Sequence, residues 1–600
     1  MITTKTIKLI AAYCLLFSSG VLSQTIPEDR IVDWSHAGLL YEISNPSVSL
    51  SVIDFGATGD GLTDDSPAIQ DALDAMEGNS GILFFPSGTY LLTQTITAHS
   101  GLVIRGEGSD ETHLKFFLGS DSKNAIQVSA AQTSSFCEVI SGFEMGSQNI
   151  TLSSSNNFQA GDFIELQQTN GDWDIEPINW AENSVGQILQ ISYVNGNELV
   201  LENKLRISYD EILNPEARII QPIQNVIIEN LKIERLDAPD SGGAKNIYFS
   251  YAVNCQVSGV ESNKSQGSHI YVTTSSNIYI FGNYFHDAFL YDGTATRGYG
   301  VTLNKHTGEV LVENNIFQNL RHAMMVKTGA NGNVFSYNYS REPHRSEPIS
   351  NYSGDISIHG HYPYANLFEE NICQNIFIDH YWGPGGPNNT FFRNRTELYG
   401  FIMTSNSTLE TQNQNITGNE IANNFPYGFY VTTGSEHFEY GNNDGGSAIP
   451  SNTNDYEDIS YFYSQRPWFV ESSFPFPAIG FPHVLNQWSN PAKQRFIEDG
   501  IQTVQIDYST VGIDKINNNL PKIQVIILNN PVGDYLHLQA LQNIVLNYSI
   551  YNITGKLLIS DKLMFSNNAG HISVSQMEKG IYLIELSSSS AREVLKFYKE

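Results

Sequence analysis

One seven-residue pattern recurs at a fixed spacing, its apolar positions alternate, and the composition supplies many turns with few charges. Together these predict an all-β chain whose greater part is wound as a parallel β-helix. The pattern runs through Asn225–Leu231, Asn277–Asn283, Glu309–Asn315 and Ala365–Asn371. Aligning its seventh position gives Leu231, Val260, Asn283, Asn315, Asn338, Asn371, Asn394, Asn419 and Asn442, with steps of 29, 23, 32, 23, 33, 23, 25 and 23 residues. A base period of 23 is one solenoid coil, and the longer steps are loops emerging from it. Alternation within each repeat has the period of a strand. Seven asparagines at one coil position read as a structural ladder, because Asn tolerates the left-handed backbone of a tight turn and stacked amides bond to one another. The 48 glycines and 22 prolines fit a turn-rich solenoid.

The other elements follow in chain order. Lys5 and Lys8 precede the apolar run Leu9–Leu22 and small residues, the signature of a secretory signal peptide over 1–23. An N-terminal segment, 24–50, leads to the β-helix over 51–490. Near its start Ser66 is placed to cap a helix with Pro67 in its first turn, and Ala68, Ile69, Ala72, Leu73 and Met76 make one apolar face that plugs the open end of the core. Asp60, Asp64 and Asp65 are explained by turn and cap duties rather than by a metal. Residues 151–222 break the coil period and read as an inserted β-subdomain walling one end of a cleft. A linker over 491–520 precedes alternating strands and turns over 521–600, read as a small β-sandwich. Of four cysteines, Cys14 leaves with the signal, and Cys137, Cys255 and Cys373 are expected to be buried, inert thiols. Nothing after the signal is long and apolar enough to span a bilayer.

Two stretches carry resemblances. Phe55–Gly61, Thr63–Gln70, Phe84–Tyr90 and Gly106–Gly108 resemble the pectate-lyase-like superfamily of rhamnogalacturonase and epimerase-type β-helices. The C-terminal order of Asn530-Pro531, the turn Thr554–Lys556, Gly580-Ile581-Tyr582 and a basic tail (Arg592, Lys596, Lys599) resembles the sorting domain of the type IX secretion system. The first resemblance implies a right-handed parallel β-helix with an N-terminal capping helix, to which the inserted β-subdomain and C-terminal β-sandwich are added. The second implies export across an outer membrane, to the surface or beyond, with the secretion machinery as a partner. Superfamily membership alone does not fix a chemistry.

Charge narrows the function. The 63 acidic and 32 basic residues leave −31, or about −33 once Lys5 and Lys8 are removed. Such a surface repels nucleic acid. Eight of fifteen histidines fall between His269 and His380, and clustering of a titratable type in one stretch of a repeat suggests a site. Coil alignment places Val301/Leu303, Met324/Val326 and Ile356/Ile358 inward, leaving Asn304, Lys327 and His359 as successive outward neighbours, with Asp355 one step along the strand. The segment Asn319–Asn338 is also loosely similar to the pectate-lyase strand that carries two basic catalytic residues, although Arg321 to Lys327 is one residue longer and lacks the intervening proline. Residues 321–361 sum to +1 in an otherwise acidic chain.

These observations predict a secreted enzyme acting on an extracellular polysaccharide, by β-elimination of a uronate-containing glycan. Elimination needs a base for the proton α to the carboxylate and a cation to neutralise the carboxylate as an enolate forms. Lys327, His359 and Arg321 or His322 fit those roles, with Arg345 or a calcium ion as neutraliser. Asn304, His344, Arg345, His361, Tyr362, Tyr381 and Trp382 are expected to bind substrate, the aromatic groups by stacking on sugar rings. Two alternatives stand beside it: hydrolysis by the carboxylates Asp355 and Asp379, and a non-catalytic glycan-binding surface protein.

Overall fold

The computed structural model describes residues 25–505 and 525–599, apart from 121, 132–133, 155–156, 239–242, 294, 348–352, 405–407, 424–425, 481–488, 529–530, 541–544, 553–556, 566–567, 578 and 588–591. The signal segment 1–23 and the 506–520 part of the expected linker lie outside these residues. The chain divides into two compact units, 1–506 and 507–600.

The first unit is a right-handed parallel β-helix with three faces. Its first face runs from Ser49–Ser51 through Ala252–Ser258 and Leu311–Glu313 to Phe438–Tyr440, with parallel register throughout. The second face includes Lys232–Arg235, Glu261–Ser265, Tyr284–Ala288, Ile316–Gln318 and Tyr339–Arg341. The third stacks Ile126–Ser129, Ile247–Ser250, Ser268–Thr273, Tyr299–Asn304, His322–Val326 and Ile356–His359. Two longer strands, Ile372–Asp379 and Arg395–Met403, bend across the second and third faces. The inward side chains form one continuous core, in which Phe335, Phe368 and Phe391 stack at 5.0 and 5.3 Å. Each such buried ring or aliphatic chain contributes roughly 1.5–3 kcal/mol.

The asparagine ladder is present and continuous. Asn283, Asn315, Asn338, Asn371, Asn394, Asn419 and Asn442 are all buried, and each side-chain Oδ1 accepts from both the Nδ2 and the backbone N–H of the asparagine one coil back, except that Asn283 accepts from Val260 N–H. The left-handed backbone sits one residue earlier than expected, at Gly282, Asn314, Tyr337, Glu370, Arg393, Gly418 and Gly441. The ladder asparagines are therefore selected for their amides rather than for a tolerated φ. A second, shorter ladder links Asn333, Asn366, Asn389 and Gln414.

Helix Ser66–Ala75 packs Ala68, Ile69, Ala72 and Leu73, with Met76 just beyond it, into the core. Ser66 does not cap it. The cap position is Asp65, which accepts from Thr58 N–H instead, while the Ser66 hydroxyl accepts from Thr93 N–H at 2.8 Å. Asp60 accepts from Leu62 N–H, Thr63 N–H and the Thr63 hydroxyl, a turn role. The inserted subdomain is a closed antiparallel barrel of six strands, and it begins earlier than 151, at Cys137–Ser141 and Asn149–Leu152. Those two short strands read in sequence like coil strands. Cys255 and Cys373 are buried, whereas Cys137 is half-exposed in the first barrel strand, its thiol turned to Ser154 O at 3.0 Å.

Residues 491–505, expected as linker, pack on the β-helix through helix Pro491–Gln494 and Val504, whose N–H donates to Gly282 O at 2.8 Å. The second unit holds a three-stranded and a four-stranded antiparallel sheet around one core of alternating residues such as Leu536, Leu538, Ile550 and Ile584.

Between 456 and 480 the chain is fastened to the first face and the turn after it by buried carboxyls. Glu313 takes hydrogen bonds from the Tyr279 and Tyr463 hydroxyls, Glu369 from Ser460 Oγ and Tyr461 N–H, and Glu370 from Ala478 and Ile479 N–H at 2.9 and 3.0 Å. Burial pushes Glu313 and Glu369 up to about 7 and Glu370 up to about 8. A carboxyl raised in the folded state lends stability that is complete below its unfolded value and is lost as pH rises through its folded one. Unfolding measured between pH 5.5 and 9 is therefore expected to show stability falling through pH 7–8. Glu370→Gln, which keeps an acceptor for both N–H groups, flattens that slope by up to about 1.4 kcal/mol per pH unit.

Candidate functional site

Parallel register turns sequence positions into a spatial column. On the third face, Ser250 lies beside Thr273, Thr273 beside Asn304 and His359 beside Asp379, and continuing the register sets Asn304, Lys327 and His359 side by side. Adjacent coils are about 4.8 Å apart. The column occupies the C-terminal ends of the strands, at the corner where the chain leaves the coil after Ser129 to build the barrel.

The barrel closes one side of this corner. Arg218 and His306 both bind Glu165, with His306 Nδ1 2.7 Å from the carboxylate. Arg206 pairs with Glu309, and Asn331 Nδ2 donates to Gly186 O at 2.9 Å. Gly329 sits at φ +67°, where a Cβ would lie 1.6 Å from Ser184 O. Docking brings Trp180 over the column: the Lys327 ammonium is 5.1 Å from its ring centroid, and Trp180 meets His361 and Trp382 edge-on at 4.8 and 5.6 Å. Tyr381 follows at 4.9 Å from Trp382, with Trp180 and Tyr381 44% and 60% exposed, so their faces are open to a ligand. Tyr362 is taken up by stacking on Trp173 at 4.6 Å.

Lys327 is half-buried, and among the described residues no carboxylate pairs with it. Burial, with Lys245 nearby, brings its ammonium down to about 8. His359 Nδ1 lies 2.7 Å from Asp379 Oδ2. Burial alone would raise Asp379, but the His359 imidazole outweighs it and the carboxyl falls to about 2, with Tyr381 N–H donating to its other oxygen at 2.7 Å. His322 is buried, its ring 5.8 Å from that of His359. Its Nδ1 is 2.9 Å from Gly354 O, and a carbonyl only accepts, so that nitrogen carries the proton. Burial, then Arg321 and His359, hold His322 well below the ordinary imidazole range. Asn304 Nδ2 donates to Thr273 Oγ1 at 3.3 Å, and its buried Oδ1 has no hydrogen-bond partner among the described residues.

Other expected residues stand further off. Arg321 donates to Gly293 O and lies 5.9 Å over the Tyr299 ring. Arg345 is held by Glu347, and His344 meets the Tyr291 ring at 4.2 Å. His361 is buried behind the aromatic wall, and burial lowers it to about 4. Asp355 and Asp379 do not form a hydrolytic pair. Asp355 lies level with Asn375, four residues and about 13 Å of strand before the level of Asp379. It is buried, accepts from Gln374 N–H and is pushed up to about 7 by burial. Among the described residues no group of three His, Cys, Asp or Glu side chains is arranged to hold a metal ion.

Sequence reasoning missed Trp180, Tyr271 and Lys245. Tyr248 and Tyr271 share a register position two residues before the column, so alignment of those two coils was the available signal. Nothing local marks Trp180, which arrives from the barrel.

Residues 49–203 match the family described as rhamnogalacturonase A/epimerase, pectate lyase-like, and residues 527–600 match the secretion system C-terminal sorting domain. The chain thus carries a pectate-lyase-like segment at the start of its β-helix and, at its C-terminus, a type IX sorting domain that directs it out of the cell, to the outer membrane or cell surface. Mannuronan C5-epimerase AlgE1 of Azotobacter vinelandii is 34% identical over 116 residues, 18% of this chain and 8% of that protein. Alginate lyase 7 of the same organism is 42% identical over 81 residues, 12% of this chain and 10% of that protein. The tailspike gp61 of Pseudomonas phage phi297 aligns over 91% of this chain and 97% of its own at 11% identity, with a TM-score of 0.49.

The barrel's seat gives a direct test. Gly329→Ala is expected to lift the barrel from the coil, because a side chain there meets Ser184 O and an unfavourable φ. Hydrogen exchange should show lost protection across 160–220 with the coil core at 301–303 and 324–326 unchanged. Unaltered barrel protection would contradict the docking described.

Proposed function

We propose that this chain acts on a uronate-containing polysaccharide by removing the proton α to the sugar carboxylate, and that β-elimination follows. The observation that carries this reading is the juxtaposition of Lys327, whose ammonium has no carboxylate partner among the described residues, with the His359–Asp379 pair on the next two coils. Lys327 neutralises the carboxylate as charge spreads into it. Asp379 orients His359 and keeps a proton on Nδ1, leaving Nε2 to take the proton from C5. The C5–H electron pair then forms the C4–C5 double bond, the C4–O4 bond breaks, and the proton passes from His359 to O4. Trp180, Tyr381 and Trp382 offer ring faces for sugars on either side.

A second fate of the same intermediate, return of a proton to the opposite face of C5, is favoured by the local similarity to mannuronan C5-epimerases. Both fates begin with the same proton transfer, and the match to an alginate lyase fits the first.

The test is incubation of the mature protein with polymannuronate, polygalacturonate and neutral glucans. Elimination gives unsaturated uronate, seen by its ultraviolet absorbance, and epimerisation gives an uncut polymer of altered stereochemistry. Lys327→Ala should lower kcat/KM about 10²–10³-fold. Because Lys327 is a cation only below about 8, kcat/KM of the wild type should fall above that pH, and Lys327→Arg should carry the fall to higher pH. New reducing ends without unsaturation, or binding with no chemistry on any polymer, would contradict the reading.

A further inference from the structure

A second cation lies beside the first. Lys245, just before the strand Ile247–Ser250, places its ammonium 5.0 Å from the Tyr271 ring centroid, and the Lys327 ammonium is 5.8 Å from the same ring. The two nitrogens are thus no further apart than the sum of those distances, and both stand against one aromatic ring. Tyr271 is itself stacked on Tyr248 at 6.0 Å, which fixes it in place.

Several other cations of the first unit are matched. Arg105, Arg206, Arg218, Lys232, Arg235 and Lys493 each pair with a carboxylate within hydrogen-bond range. In a chain of 63 acidic residues such pairing is the easy arrangement. Neither Lys245 nor Lys327 has a carboxylate partner among the described residues, and both are half-buried. Burial lowers each to about 8, and the neighbouring Lys245 ammonium adds to the lowering of Lys327. Two neighbouring, partly desolvated cations without counter-charge are unfavourable until an anion arrives, and an anionic ligand regains that free energy on binding.

We propose that Lys245 and Lys327, both beside Tyr271, hold two carboxylates of one polyuronate chain, so that the site selects runs of contiguous uronate over glycans in which uronate alternates with neutral sugar. This rests on the uronan reading above and adds a determinant to it. Lys327 serves the reacting sugar, Tyr271 supports the chain between, and Lys245 is a specificity-determining residue at a neighbouring subsite. It touches no reacting atom.

The experiment compares wild type, Lys245→Gln and Lys245→Arg in binding and turnover of two probes: polymannuronate, with a carboxylate on every sugar, and hyaluronan, with one on alternate sugars. Lys245→Gln is expected to weaken polymannuronate binding about tenfold, to raise KM with little change in kcat, and to reduce the salt dependence of binding, while Lys245→Arg restores all three. Hyaluronan binding should be weaker and indifferent to the substitution. Equal effects on both probes, no effect on polymannuronate, or no binding of either would overturn the proposal. Unchanged melting of the Gln variant establishes that the fold is intact, and the Arg variant separates charge from packing. Lys245-dependent binding without C5 chemistry would leave this proposal standing and remove the elimination reading. C5 chemistry indifferent to Lys245 would do the reverse.

Discussion

The structure depends on coil register. In a parallel β-helix a side chain acquires its neighbours from the coils before and after it, and a one-residue slip would send every inward residue outward. The buried amide ladder from Asn283 to Asn442 opposes such a slip, because each amide bonds both the side chain and the backbone of the preceding coil. Its cost is local: Tyr337, Glu370 and Arg393 are forced into left-handed backbone at about 1–2 kcal/mol each. All three are buried and packed, so the surroundings hold them there. Register held in this way is what sets Asn304, Lys327, His359 and Asp379 in one line.

Electrostatics then differentiates that line from the rest of the surface. The chain carries a net charge of −31, yet its third face holds two cations without carboxylate partners among the described residues, and an imidazole beside a carboxylate. The barrel supplies what the coils lack. Trp180 covers one side of Lys327 and reduces its contact with water, which strengthens its interaction with any carboxylate that enters. The same ring and the exposed Tyr381 offer apolar faces to the sugar, so charge and stacking act together.

Much of this was legible in the sequence for a physical reason: a repeat reports its own geometry. The 23-residue spacing of the asparagines and the pairs Val301/Leu303, Met324/Val326 and Ile356/Ile358 define coil, inward side and outward column without reference to anything distant. Legibility ended wherever partners came from outside the repeat. Trp180 comes from a barrel whose first strands, Cys137–Ser141 and Asn149–Leu152, look like coil strands. Asp355 and Asp379 lie on neighbouring coils, which is all the sequence displays of them, but their positions along the strands differ by four residues, and Asp379 is committed to His359. Residues 491–505 read as a linker because their contacts, such as Val504 with Gly282, are made with coils two hundred residues away.

The most direct measurement follows the hydrogen at C5. With polymannuronate labelled by deuterium at C5, the protein should release the label to water, with a primary isotope effect on kcat/KM that disappears together with activity in His359→Ala. Release is required by elimination and by epimerisation alike. Cleavage or tight binding of the polymer with every C5 label retained would contradict proton abstraction at the Lys327–His359–Asp379 column.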